Sequence, residues 1–190
     1  MTRSPQDKAQ YITRAGVKLA HALQHFQLLP TGWTCADFGS HAGGFVDCLL
    51  QHGAATVYAV DTSYGTLDYK LRQDARVVVL ERSNAMHITL PEPVQLVTID
   101  VGWTRQEKVI PNALAQLAPG GMILSLLKPH YEAAAAELRH GKVHDELLPS
   151  IVERVIANLR QLPGIASIDS CVSPLAGGKG GNVEYFLRIQ

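Results

Sequence analysis

Five short apolar runs, four of them carrying a charged residue at the carboxyl end, alternate along this chain with stretches of helical periodicity. TCADF near 33–38 carries Asp37, ATVYAVD (55–61) ends on Asp61, and VVVL occupies 77–80. VQLVTID (94–100) ends on Asp100 and MILSLLK (122–128) on Lys128. Runs that are apolar throughout, rather than at every second position, read as strands covered on both faces, and the helices between them supply the cover. The pattern therefore predicts a doubly wound α/β fold around a mostly parallel sheet.

The intervening segments fit that frame. Helical spacing runs over 17–26, over FVDCLLQHG with Gly53 as its C-terminal cap, over 106–117 with Pro111 inside, and over 131–138 and 145–162. VVVL is expected as a third buried strand, and APGG ahead of the fifth strand as a turn. Two more strands, near 165–172 and 183–189, are joined by SPLAGGKGGN with no helix between them, so they should pair antiparallel. The expectation is a Rossmann-like, seven-stranded sheet, mostly parallel with an antiparallel C-terminal strand. No repeat or linker divides the 190 residues, which suggests an arm over 1–15 and a single domain over 16–190.

Composition narrows the function classes. Apolar residues make up 46% and charged residues 18%, as in a globular chain. No apolar run approaches the roughly 20 residues that span a bilayer, and the polar start MTRSPQDKAQ is unlike a secretory signal, so a cytoplasmic protein without a membrane partner is expected. Cys35, Cys48 and Cys171 show no C-x-x-C spacing and read as core thiols, while His21 and His25 share a helix face without a third ligand, so no metal is expected. Seventeen cationic residues balance seventeen anionic ones, so any grip on nucleic acid must come from a local basic cleft.

Ligands of doubly wound sheets bind beyond the carboxyl ends of the strands, and the charged residues fall there. Between the first strand and the next helix lies Asp37-Phe38-Gly39-Ser40-His41-Ala42-Gly43-Gly44-Phe45. Its glycines allow close backbone approach, and the helix N-terminus offers free N–H donors. The spacing is G-x-x-x-G-G instead of the dinucleotide G-x-G-x-x-G, with an acid two residues ahead. An acid there suits a cationic ligand such as S-adenosylmethionine; a glycine-rich turn without a ligand is the alternative. Asp61, followed by Thr62, is placed to accept hydrogen bonds from a ribose, a role that serves a nicotinamide cofactor equally. Asn84, past the third strand, borders the space for an adenine or simply shapes its loop. Asp100, Lys128, Lys18 and Glu184 remain, and half-buried charges of this kind form either a structural ion-pair network or a catalytic site.

The chain resembles the FtsJ-like ribose 2′-O-methyltransferases, and most closely their haemolysin A (TlyA) branch. The resemblance rests on YITRAGVKLAHAL, on the block from DFGSHAGGF to LERSNA, and on TIDV, LAPGGMILSLLKPHYEA and GKGGNVEYFLRI. It implies a Lys-Asp-Lys-Glu tetrad at Lys18, Asp100, Lys128 and Glu184. It also implies S-adenosylmethionine on the glycine loop (Asp37, Gly39, Ser40, His41, Gly43, Gly44 and Phe45) and on Asp61, with Thr62, Asn84 and Asp100 expected beside them at the strand ends. Ribosomal RNA or a ribosomal subunit is the implied acceptor. In the implied reaction Lys128 is the general base for the ribose hydroxyl, while Asp100 and Glu184 orient the lysines and hold the two of them together.

Several features depart from the family pattern. The usual RNA-binding domain is not seen ahead of this one, so a partner protein for RNA targeting is an option. Gly102-Trp103-Thr104-Arg105 replaces a serine-phenylalanine-isoleucine-serine stretch, and Trp103 can stack on a base or pack as a plain indole. AAAAELRHGKVHDE replaces a glycine- and valine-rich segment, and His41 stands where a small hydroxyl residue is usual. Arg14, Lys142 and Lys179 either line an RNA path or, as is usual for surface cations, are simply solvated. The competing readings are another acceptor, a non-catalytic cofactor-binding module, and a nicotinamide enzyme.

Overall fold

The computed structural model describes residues 10–177 and 181–190. Residues 1–9 of the expected arm, and Lys179, lie outside the described residues. Residues 10–14 pack down before the first helix: Tyr11 is buried, and the Ile12 amide donates to the Asp47 carboxylate at 2.8 Å. Helix α1 (Ala15–His25) follows, then β1 (Thr34–Phe38), α2 (Gly44–Gln51), β2 (Thr56–Val60), α3 (Tyr69–Arg72) and β3 (Val77–Leu80). The second half comprises β4 (Val94–Ile99), α4 (Gln106–Ala115), β5 (Leu117–Leu127), α5 (Pro129–Glu132), β6 (Leu138–Arg139), β7 (Lys142–Val143), α6 (Leu148–Leu159), β8 (Ile168–Val172) and β9 (Tyr185–Ile189).

Seven strands form one sheet in the order β3-β2-β1-β4-β5-β9-β8, with β6 and β7 as a separate hairpin. β1 to β5 pair in parallel, and β9 enters antiparallel to both β5 and β8. The seven-stranded sheet with its antiparallel C-terminal strand is thus as the sequence predicts. One apolar layer joins α1 and α2 to one face through Leu19, Leu23, Phe45 and Leu49. The other joins α4 and α6 to the opposite face through Val109, Ile110, Val152 and Val155. Helix α2 stops where FVDCLLQHG predicts. Gly53 takes φ +88°, its amide donates to the Leu50 carbonyl, and the Ala54 amide donates to the Leu49 carbonyl, satisfying the last orphan acceptors.

The structure differs from the sequence reading in four places. VVVL is an edge strand that is only partly buried, since no strand among the described residues pairs beyond it. APGG is no free turn: it lies within β5 as an irregularity, where the pairing jumps from Val94↔Leu117 to Leu96↔Met122 and Gly120 takes φ +75°. The helix expected over 131–138 is confined to four residues and one 3₁₀ turn, because Ala134 is extended (ψ 155°) and its amide is held by the Glu137 carboxylate at 2.7 Å. The helix expected over 145–162 opens as a 3₁₀ turn, with regular α6 starting only at Leu148. The thiols of Cys35, Cys48 and Cys171 are buried, and burial pushes the first two up to about 12.

Candidate active site

A parallel sheet delivers the carboxyl ends of its strands to one edge, and a cleft of about 640 Å³ opens there. β1 contributes Asp37 and the glycine loop, β2 contributes Asp61 and Thr62, and the segment after β3 contributes Asn84. β4 contributes Asp100 and β5 contributes Lys128. Of the expected cofactor residues, Asp37, Gly39, Ser40, His41, Gly44, Phe45, Asp61, Thr62, Asn84 and Asp100 all border this cleft. Gly43 does not. It caps α2 with φ +96°, and a Cβ on it would meet Leu71 at 2.2 Å, so its place is in the packing beneath the loop.

The glycines of the loop are required by close approach. A Cβ on Gly39, which has φ +89°, would lie 2.7 Å from the Asp100 carbonyl oxygen. A Cβ on Gly44 would lie 2.1 Å from the Thr13 hydroxyl. The loop is thereby pressed against the end of β4 on one side and the segment before α1 on the other. His41 holds φ +45°, and its amide donates to Asp61 Oδ2 at 2.8 Å, so the loop is tied to the end of β2 as well. Asp61 Oδ1 accepts from the Ser63 amide and hydroxyl at 2.8 and 2.6 Å. Burial works to raise the Asp61 carboxyl, but these hydrogen bonds outweigh it and the net shift is downward. Asp61 is a fixed anion at the cleft wall.

Asp37 is the opposite case. Its side chain is buried, Thr98 Oγ1 donates to Oδ1 at 2.8 Å, and Oδ2 has no partner among the described residues. Burial, opposed by the Thr98 hydrogen bond and reinforced by the charges of Asp100 and Asp61, pushes its carboxyl up to about 8. A buried acceptor without a donor costs free energy, which a cationic donor in the cleft would recover.

The four remaining charges meet as two ion pairs. Lys128 Nζ lies 2.6 Å from Asp100 Oδ1 and donates to the Val101 carbonyl at 3.1 Å. Lys18 Nζ lies 2.5 Å from Glu184 Oε2, both side chains being more than nine-tenths buried. Asp100 and Lys128 border the cleft; Lys18 and Glu184 do not. No hydrogen bond or ion pair joins the two pairs among the described residues, so each lysine is held by its own acid. They are neighbours through the sheet nonetheless: Leu127 pairs with Tyr185 at the last register position, and Lys128 and Glu184 are the next residue of each strand.

Sequence reasoning missed part of the cleft wall. Thr13, Ser83 and Met86 contribute to it. Ser83 and Met86 flank Asn84 in the same post-strand loop and were findable by position, whereas Thr13 arrives only because Gly44 lets its segment come close. Trp103 borders the cleft, is 90% exposed, holds φ +56°, and lies with its ring 5.1 Å from that of Tyr131. The Lys128 ammonium lies 5.8 Å from the Tyr131 ring. Among the described residues no helix is long and apolar enough to cross a membrane.

A doubly wound sheet with a reversed strand next to its last parallel one, a glycine loop after β1 and fixed acids after β2 and β4 defines a methyltransferase-type domain. The chain belongs to the FtsJ-like methyltransferase family, which it matches from residue 11 to residue 190. It is 38% identical to the 16S/23S rRNA (cytidine-2′-O)-methyltransferase TlyA of Mycobacterium tuberculosis, over 95% of this chain and 68% of that one. It is 35% identical to Hemolysin A of Brachyspira hyodysenteriae, over 95% of this chain and 77% of that one. Among solved structures, a candidate hemolysin of Lactococcus lactis superposes with a TM-score of 0.89 at 34% identity, covering 96% of this chain and 89% of that one. The chain spans about two thirds of the length of its mycobacterial relative.

Proposed function

We propose that this chain transfers a methyl group from S-adenosylmethionine to a ribose 2′-hydroxyl of RNA, with ribosomal RNA the acceptor that its named relatives suggest. Residues 16–190 are taken as the methyltransferase domain and 1–15 as a leading arm. The observation that carries the reading is the Lys128–Asp100 pair at the wall of a cleft that the glycine loop and Asp61 also line.

The residues fit the cofactor. Asp37 Oδ2, without a partner among the described residues, suits a cationic group, and the one lone pair left on Asp61 Oδ2 suits a ribose hydroxyl. Bound there, the cofactor supplies a methyl group already activated by its sulfonium. The protein must then place a hydroxyl and take its proton. A neutral lysine amine has two N–H bonds and one lone pair. At Lys128 the two N–H bonds are directed to Asp100 Oδ1 and the Val101 carbonyl, leaving the lone pair for the acceptor hydroxyl. Asp100 thus orients the base, and its own backbone is fixed by its N–H, which donates a hydrogen bond to the Phe38 carbonyl at 2.9 Å. Lys18 and Glu184 complete the tetrad from behind, their pair tying α1 to the start of β9 beside Lys128. The exposed face of Trp103, braced on Tyr131, supplies a platform for the base of the acceptor nucleotide.

The deciding experiment is transfer of a labelled methyl group from S-adenosylmethionine to total RNA and to assembled ribosomal subunits. Lys128→Ala is the control. Label should appear on ribose and fall by about 10²–10⁴ in the variant, the usual share of a general base, while cofactor binding persists. Near-normal turnover by Lys128→Ala removes the base assignment, and no transfer to any RNA despite cofactor binding moves the acceptor to another class.

A further inference from the structure

The hairpin β6–β7 lies between α5, which follows Lys128, and the segment that leads into Glu184, and it sets two cations against each other. Its register pairs Leu138 with Val143 and Arg139 with Lys142. The first pair is apolar: Val143 is buried with Ala133, Leu148 and Ile151, and Leu138 packs against them. The second places two cations directly opposite each other on adjacent strands, an arrangement that destabilises a hairpin. The two-residue turn between them, with His140 at φ +51° and Gly141 at +77°, has the geometry favoured in tight hairpins, so it fixes the two cations opposite each other. Neither cation has a carboxylate partner among the described residues, although Arg72, Arg76, Arg154 and Arg188 each have one. Arg139, His140, Lys142 and His144 are all exposed, and no acid occurs from 138 to 144.

The hairpin is also held in place. Asn182 donates to the Gly141 carbonyl at 3.3 Å, and a Cβ on Gly181 would sit 3.6 Å from Lys142 Nζ. Two residues beyond Asn182 stands Glu184. A pair of like charges on a hairpin tied by Asn182 to the approach to Glu184, and without a carboxylate partner among the described residues, is what an external anion shared between the two strands would stabilise.

We infer that Arg139 and Lys142 form a phosphate-binding clamp that grips the sugar–phosphate backbone of the RNA acceptor beside the cleft. The inference rests on the reading of the cleft as an RNA methyltransferase site and adds where a chain of zero net charge concentrates its attraction for RNA. Phosphate contacts position a nucleic acid without reading its sequence, so the clamp sets affinity and placement and leaves the chemical step to Lys128.

Two variants of the full chain test it. Arg139→Ala/Lys142→Ala removes both cations. Lys142→Glu turns the unfavourable cross-strand pair into a favourable one, so it should keep or raise the melting temperature while destroying the clamp. RNA binding is measured across a salt series, with methyl transfer in parallel. Removing one phosphate-bound cation should lower the slope of log affinity against log salt by about 1, so the double variant should lower it by about 2. The KM for RNA should rise in both, with kcat and cofactor affinity unchanged. Unchanged slope and KM in both variants, with the parent methylating RNA, overturn the clamp and leave the enzyme assignment intact. A parent that transfers no methyl group to RNA, with the slope still falling in the variants, overturns the enzyme assignment and supports the clamp.

Discussion

Removing Lys18 alone should cost this protein more stability than removing the whole Lys18–Glu184 pair. Glu184 is 3% exposed and Lys18 9% exposed by side chain, and the ammonium is the ion-pair partner of the Glu184 carboxylate. Lys18→Met keeps the length of the stem and deletes the charge, leaving a buried anion without its counter-ion. Breaking a buried pair from one side costs about 3–5 kcal/mol, whereas replacing both partners by apolar groups of similar volume is close to neutral. For a domain of this size 1 kcal/mol moves the melting temperature by about 2–4 °C, so the single variant should melt roughly 6–20 °C lower. Lys18→Met/Glu184→Leu should recover most of that loss. Differential scanning calorimetry of the parent and both variants checks the order, and the methyl-transfer assay on the same samples separates two roles. A double variant that is stable yet inactive shows that the pair serves transfer as well as the fold. A Lys18→Met protein that melts within about 2 °C of the parent would refute the reasoning, because Glu184 would then not need a cation to stay buried.

Asp37→Asn should stabilise the ligand-free protein as pH rises. The Asp37 carboxyl stands at about 8 against an ordinary 3.8, so the folded state holds a proton that the unfolded state has lost. Stability conferred by that proton is full below about pH 4 and drains away as pH climbs to about 8. The asparagine variant should therefore match the parent near pH 4, in melting temperature and in affinity for S-adenosylmethionine, and near pH 8 should exceed it in melting temperature while binding S-adenosylmethionine more weakly. Gly39→Ala forces a Cβ to 2.7 Å from the Asp100 carbonyl at a backbone angle that disfavours any side chain, so it should lower both cofactor affinity and stability. Calorimetric titration with S-adenosylmethionine checks this, and unchanged affinity would mean the loop can shift without cost. Trp103→Ala should raise the KM for RNA with little effect on cofactor binding, a single stacked base being worth about 1–3 kcal/mol. An unchanged KM would leave Trp103 as a surface residue packed on Tyr131.

The five parallel strands were legible because each is an apolar run bounded by a charge or a glycine, and both kinds of boundary are local. What failed was decided by tertiary contacts. AAAAEL has high helix propensity, yet Ala133 is buried against Val143 and Ile151, and Glu137 is occupied by the Ala134 amide and the Arg154 guanidinium. Those contacts hold the segment open and free 138–143 to form the hairpin. The four-residue α3, capped by the Asp68 carboxylate, is too short to carry a period. At the site, the positions of Asp37, Asp61, Asp100 and Lys128 followed from strand ends alone. The pairing of Lys18 with Glu184 did not, since 166 residues separate them and only the packing of α1 near β9 brings them together.

The reversed strand explains why such a site needs more than a parallel sheet. Strands β1, β2, β4 and β5 all run the same way, so the groups they offer at the cleft come from their carboxyl ends, followed by loops that also have to bind the cofactor. β9 runs against them, and its amino end therefore lies at the same edge, with Tyr185 opposite Leu127. A residue just before β9 reaches the neighbourhood of Lys128 without passing through any cofactor loop. Glu184 uses that position, and the Ser173 amide donates to its carbonyl at 2.8 Å, so its backbone is held by β8 as well. Side-chain crowding reinforces the placement: a Cβ on Gly177 would lie 2.7 Å from Glu184 Oε1. Gly177 thus carries a smaller requirement than the loop after β1. It leaves room for one carboxylate, and through that carboxylate it helps to fix Lys18, α1 and the wall behind the base.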